Sequence, residues 1–121
     1  MHRSIQVTVN TIKSGGADFD DAEIAASGSK TSDALDLTNS SGECRLQFAL
    51  TGDGTAKIEA MESLDNVTFF ANPTPIAEGL IKTPGSGLLS YTAETVAHVK
   101  FKVTETGTSE SITVSLMAAI R

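Results

Sequence analysis

Arg45-Leu46-Gln47-Phe48-Ala49-Leu50-Thr51-Gly52-Asp53-Gly54-Thr55-Ala56-Lys57-Ile58-Glu59-Ala60-Met61 is the stretch whose pattern decides the fold. Leu46, Phe48 and Leu50 share one face, with Arg45, Gln47 and Ala49 on the other. That period of two is what a strand with one buried side imposes. Ala56, Ile58 and Ala60 resume the alternation, while Lys57 and Glu59 turn away. Between the two runs, Thr51-Gly52-Asp53-Gly54-Thr55 reads as a tight reversal, because glycine takes positive φ without steric penalty. The spacing predicts a β-hairpin over residues 45–61.

The same pattern returns at the end of the chain. Ala97, Val99, Phe101 and Val103 alternate with His98, Lys100 and Lys102, and Glu105-Thr106-Gly107-Thr108-Ser109 forms a turn. Ile112, Val114, Leu116, Ala118 and Ile120 then line one face of a long last strand, opposite Ser111, Thr113 and Ser115. The core is expected from Leu46, Phe48, Leu50, Ile58, Val99, Phe101, Val103, Val114 and Leu116. Shorter strands are expected at Ile5 to Val9, Leu35 to Leu37, Val67 to Phe70 and Leu88 to Tyr91. Pro73, Pro75 and Pro84 make the stretch between the last two a loop or an edge, since proline has no ladder donor. Residues 10–33 read as an extended loop or arm. Many short strands separated by turns define an all-β fold, here one antiparallel β-sandwich spanning residues 1–121.

A chain of 121 residues suits one domain. Nine Lys plus Arg against fifteen Asp plus Glu leave a formal charge of −6. A nucleic-acid ligand needs basic patches to displace counterions, and an anionic membrane needs the same, so neither partner is expected. Lys100 and Lys102 share one strand face and read as a solvated pair. The single cysteine, Cys44, excludes an internal disulfide and a cysteine-based zinc cluster. No apolar run has the length of a signal peptide or of a membrane span, so synthesis in a reducing cytosol is expected.

Catalytic, cofactor and metal residues are expected to be absent. His2 and His98 have no Cys or His neighbour with which to build a site. Asp18, Asp20, Asp21 and Glu23 lack the glycine turn and distal glutamate of a calcium loop, and read as solvated. Gly52-Asp53-Gly54 is read as a hairpin turn, because no helix follows it to cradle a phosphate. Cys44 reads as a buried structural thiol. Phe69 and Phe70 are adjacent on a strand, so one tends toward the core and the other outward. An exposed phenylalanine marks a covered surface, either a subunit contact or a ligand platform. Alternatively, the loop containing Pro73 and Pro75 folds over it.

Residues 45–70, with Glu62-Ser63-Leu64-Asp65-Asn66-Val67-Thr68-Phe69 at their end, resemble small virion-associated proteins of tailed bacteriophages and prophages. So does Ala97 to Gly107 with Ser111-Ile112-Thr113-Val114-Ser115. The resemblance covers residues 33–121 and implies a jelly-roll-like sandwich with no catalytic residues to carry over. It also implies a structural component of the head, neck or tail, made in the bacterial host cytoplasm and located in the virion. Such a subunit would be a homo-oligomer, preferably a trimer, that also touches other virion proteins, and Phe69, Phe70 or the loop beside them is expected at the contact between copies. Similar strings occur in discoidin-like carbohydrate-binding sandwiches, so the alternative is a carbohydrate-binding module for host-surface glycans. Such modules usually stack aromatic rings on sugars, and this chain has no Trp and one Tyr.

Overall fold

The computed structural model describes residues 8–71, 85–95 and 97–121. Among these residues twelve strands follow in order: β1 (Thr8–Thr11), β2 (Lys13–Ser14), β3 (Ala17–Asp18), β4 (Ala22–Ile24), β5 (Ser29–Thr31) and β6 (Leu35–Asp36), then β7 (Glu43–Gly52), β8 (Ala56–Ser63), β9 (Phe70–Ala71), β10 (Gly85–Thr92), β11 (His98–Glu105) and β12 (Ile112–Ile120). No helix occurs among the described residues. Two five-stranded antiparallel sheets form a jelly-roll-like sandwich, and β2 pairs with β3 as a small separate hairpin. One sheet runs β10–β7–β12, with β1 and β4 both along the outer side of β12. The other runs β9–β8–β11, with β5 and β6 along the outer side of β11.

The alternation in the sequence sets the faces. Leu46, Phe48, Leu50, Val114 and Leu116 from one sheet meet Ile58, Val99, Phe101 and Val103 from the other in one buried cluster. All nine residues expected in the core are therefore inside it.

The pairing differs from the expected hairpin. β7 pairs with β10 and β12, whereas β8 pairs with β11 and β9, so residues 45–61 contribute one strand to each sheet. Gly52-Asp53-Gly54 carries the chain across the core as an arch. Residues 106–111 do the same between β11 and β12. Alternation reports which side of a strand is buried, and it is satisfied equally by a partner alongside or a partner across the core. Gly52 has φ of +103°, and a Cβ there would come within 2.9 Å of the Ser111 carbonyl oxygen. At Gly54 a Cβ would meet Ile112 at 2.7 Å and the Glu105 carboxylate at 2.9 Å, so the arch rests directly on both.

Three crossings between the sheets converge on Glu105, which is buried at the end of β11. Its carboxylate accepts hydrogen bonds from the amides of Thr55 (3.0 Å), Gly107 (2.9 Å) and Ser27 (3.1 Å), one from each crossing. These amides hold its carboxyl below the ordinary glutamate range, Thr55 contributing most, then Gly107, then Ser27.

Residues 10–33, expected as a loop or arm, instead supply most of the outer strands of both sheets. Thr8 to Thr11 lie opposite Ile120 to Met117, and Ala22 to Ile24 continue opposite Val114 to Ile112. β1 and β4 are thus one edge strand interrupted by the β2–β3 excursion. Ile12 and Phe19 close its neck inside the core, with the Phe19 amide donating to the Ile12 carbonyl at 2.7 Å. β5 and β6 repeat the device along β11, where residues 32–34 oppose two residues as a bulge. Ser32 fastens that bulge, exchanging hydrogen bonds with the Phe101 backbone at 2.8 and 2.9 Å. Strands of two to four residues are too short to show a period, which is why this third read as irregular.

Candidate functional site

The outer face of the β10–β7–β12 sheet carries the most varied chemistry described. Register sets it out in rows, each about 7 Å from the next along the strands. Thr92, Glu43 and Arg121 form the first row, and Ser90, Arg45 and Ala119 the second. Leu88, Gln47 and Met117 form the third, and Ser86, Ala49 and Ser115 the fourth. Leu88 and Met117 are 57% and 42% exposed, so the third row is an apolar ridge with an amide at its centre.

Small residues beside this ridge leave two depressions. The first, of about 290 Å³, lies around Arg45 where Ala119 and Ser90 flank it. The second, of about 330 Å³, is bounded by Ala49, Ser115 and the acidic end of the β2–β3 excursion. Ser115 builds that wall, donating to Asp20 at 2.8 Å while accepting from the Asp21 amide at 2.9 Å. Asp20 is exposed, as read from the sequence, and its bond to Ser115 holds it beside the sheet. No three Asp, Glu, His or Cys side chains converge as a metal site among the described residues.

This face has hydrogen-bonding groups of both senses next to exposed apolar surface. Arg45, Arg121 and the Gln47 amide donate, while Glu43, Asp18 and Asp20 accept. A ligand with an apolar flank and a hydroxyl-rich edge matches that distribution. The alternation placed Arg45 and Gln47 on an outward face, but not beside Leu88, Met117 and Ser90. Those neighbours follow from which strands pair.

The single tyrosine lies on the inner side of the same sheet. Tyr91 packs edge-on against Phe101, with centroids 6.0 Å apart and planes at 81°, and its hydroxyl donates to the buried Glu62. Glu62 also accepts from the Thr95 amide at 2.5 Å. Cys44 is buried nearby, as expected, and burial pushes its thiol up to about 11, with Glu62 adding to the shift. At pH 8 only about one thousandth is thiolate, the reactive form. A thiol-specific disulfide reagent is expected to leave the native protein unlabelled over minutes and to label it fully in denaturant. Rapid native labelling would contradict this burial.

Phe70 belongs to the opposite sheet, with Phe69 just ahead of it on the connection, and neither is among the buried core residues. Phe69 is half-buried under Lys100, whose Nζ lies 4.4 Å from the ring centroid, while Phe70 on β9 is 69% exposed. The Asp65 carboxylate accepts from the Val67 and Thr68 amides at 2.8 and 2.9 Å, so the chain is still turning where the strand was expected and β9 begins only at Phe70. Leu64 and Val67, each 81% exposed, lie on the connection into β9. The loop with Pro73 and Pro75 lies outside the described residues. His98 sits half-buried on β11, opposite Ser63 and Asp36.

No family model matches the sequence, and no curated protein sequence matches it. Among solved structures, the fold is similar to a family 29 carbohydrate-binding module at a TM-score of 0.50. Identity there is 13%, over 96% of this chain and 90% of that one. It is also similar to an arginine-to-alanine variant of such a module, made to probe ligand recognition. That likeness has a TM-score of 0.52 and 13% identity, over 94% of this chain and 91% of the other. At this identity the likeness is one of fold, the antiparallel β-sandwich.

Proposed function

We propose that this protein is a non-catalytic carbohydrate-binding module whose ligand surface is the outer face of the β10–β7–β12 sheet. The observation that carries the reading is the Leu88–Gln47–Met117 ridge between two polar depressions. A pyranose ring has an apolar C–H face for Leu88 and Met117, and vicinal hydroxyls for the Gln47 amide and its neighbours. The sandwich shared with family 29 modules supports the reading at the level of fold. Leu and Met replace the aromatic rings such sites commonly use, so each sugar contributes little and monovalent Kd is of the order of 0.1–1 mM.

Multivalent display on a glycan array compensates for weak single contacts. The protein is expected to retain a small, related set of glycans. Gln47→Ala should weaken binding to them about tenfold, the worth of one or two hydrogen bonds in a desolvated contact. Met117→Asp should abolish retention. Absence of any retained glycan, together with unchanged amide NMR spectra on titration, would refute the reading.

A second reading, a structural subunit of a phage or prophage particle, is favoured by the exposed Leu64 and Val67 on the connection into β9 and the exposed Phe70 on β9. It requires self-association or docking through that patch. Light scattering would then give a multiple of the 12.6 kDa chain mass, a trimer by preference, and Phe70→Ser would return it to monomer. A monomer that also fails to bind assembled particles would dispose of this reading.

A further inference from the structure

The first depression differs in charge from the rest of the chain. Arg45 and Arg121 border it against one carboxylate, Glu43. Glu43 lies 3.6 Å from Arg121, and both side chains are more than half exposed, so the pair is loose and water-screened. The Arg45 guanidinium has no hydrogen bond or ion pair among the described residues. Its neighbours on either side are Ser90 and Ala119, too small to cover it. A chain with a formal charge of −6 thus holds an uncompensated guanidinium in a concavity beside its apolar ridge. The second depression is the reverse, since Asp18 and Asp20 are the charged residues lining it.

We infer that the first depression is a subsite for a sugar carrying an oxyanion, a uronate carboxylate or a sulfate ester, which Arg45 grips. This rests on the carbohydrate-binding reading and narrows its ligand to an acidic glycan. The planar guanidinium presents paired N–H donors that match two oxygens of a carboxylate, or of a sulfate, at once. Ser90 and Thr92 add hydroxyls beside it. The chain's overall negative charge repels such a ligand at long range only weakly, because screening sets in within about 8 Å at physiological ionic strength. The acidic lining of the second depression accepts hydrogen bonds from neutral hydroxyls, so the ligand's anionic residue lies at the Arg45 end.

The test is an NMR titration of the intact chain with three probes: an oligogalacturonate, its carboxyl-reduced neutral form, and a sulfated galactan oligosaccharide. At least one anionic probe should bind, at least about tenfold more tightly than the neutral one. Arg45→Ala should remove that preference, bringing the affinities for the anionic and neutral forms to within about twofold of each other. Arg45→Lys should restore only part of it, because the charge returns without the fork. Arg45 is exposed, so its replacement leaves the fold intact, and an unchanged melting curve verifies this. Preference for one anionic probe identifies carboxylate or sulfate as the source. Equal binding of neutral and anionic probes, indifferent to Arg45, overturns the inference and leaves the carbohydrate reading standing. Silence of all three probes, when the array retains other glycans through Gln47, likewise overturns it alone. Silence on the array as well is the failure of the carbohydrate reading itself.

Discussion

Phe101→Ala is expected to lower the free energy of unfolding by about 3–5 kcal/mol, as for a large aromatic removed from a packed core. Phe101 is fully buried at the middle of β11, which has β8 on one side and β5 and β6 on the other. Its ring reaches the opposite sheet and meets the edge of Tyr91. The backbone around it is fixed by Ser32 and Ala60, so the site cannot collapse into the void. The lost aromatic contact adds to the lost burial. Urea denaturation followed by far-ultraviolet circular dichroism measures the change. A loss below about 1 kcal/mol would mean that β11 turns its other face inward, because a one-residue slip exchanges every side chain between core and solvent.

Acid is expected to unfold the protein from the end where Glu105 sits. The Thr55, Gly107 and Ser27 amides stabilise its charged form, so its folded-state pKa lies below the ordinary value of 4.5. The stability this confers is fully present above 4.5 and disappears as pH falls through the lower folded value. Asp33 behaves alike through the Gly16 and Gly15 amides, and Asp36 through Thr38. Asp65 is held at about 2 by the amides of Thr68 and Val67 and the Ser63 hydroxyl, so its contribution persists to lower pH. Melting temperature should therefore be flat from neutrality to about pH 5 and fall steadily below it. Glu105→Gln should lower the melting temperature at pH 7 and flatten the upper part of that fall, since a neutral amide cannot satisfy three donors equally. Glu59→Gln, a change in a half-exposed surface pair, should do neither. Identical profiles for Glu105→Gln and the parent protein would show that the three crossings are not held by this carboxylate.

Where a strand runs and which side it buries could be read from the sequence, because Leu46, Phe48, Leu50 and Ile112 to Ile120 obey a period of two over long runs. Which sheet a strand joins could not. Thr51 to Thr55 has the composition of a hairpin turn, and the signal that it is an arch lies elsewhere, in Glu105 and Ser111 against which it packs. The candidate face followed the same division. Arg45 and Gln47 were recognisably outward, yet their association with Leu88, Ser90 and Met117 depends on pairings tens of residues away. Residues 10–33 were obscure for another reason. Ile12, Phe19 and Ile24 anchor them individually, without the repeated spacing that marks a strand.

The arches also govern how quickly the molecule can find its structure. Among the described residues no two consecutive long strands hydrogen-bond to each other, so the ladders of β7, β11 and β12 cannot begin by local zippering. Leu46 must wait for Ala118, and Phe101 must return to Ala60, before either ladder exists. Loop closure is therefore borne before the contacts that reward it, which places refolding in the millisecond-to-second range typical of sandwiches rich in distant pairings. A nascent chain cannot complete either sheet until residues 98–120 have been synthesised, because β11 and β12 each sit between their sheet's neighbours. Until then β7 and β8 expose unpaired edges, and chaperone holding during synthesis is the natural safeguard against their joining other chains.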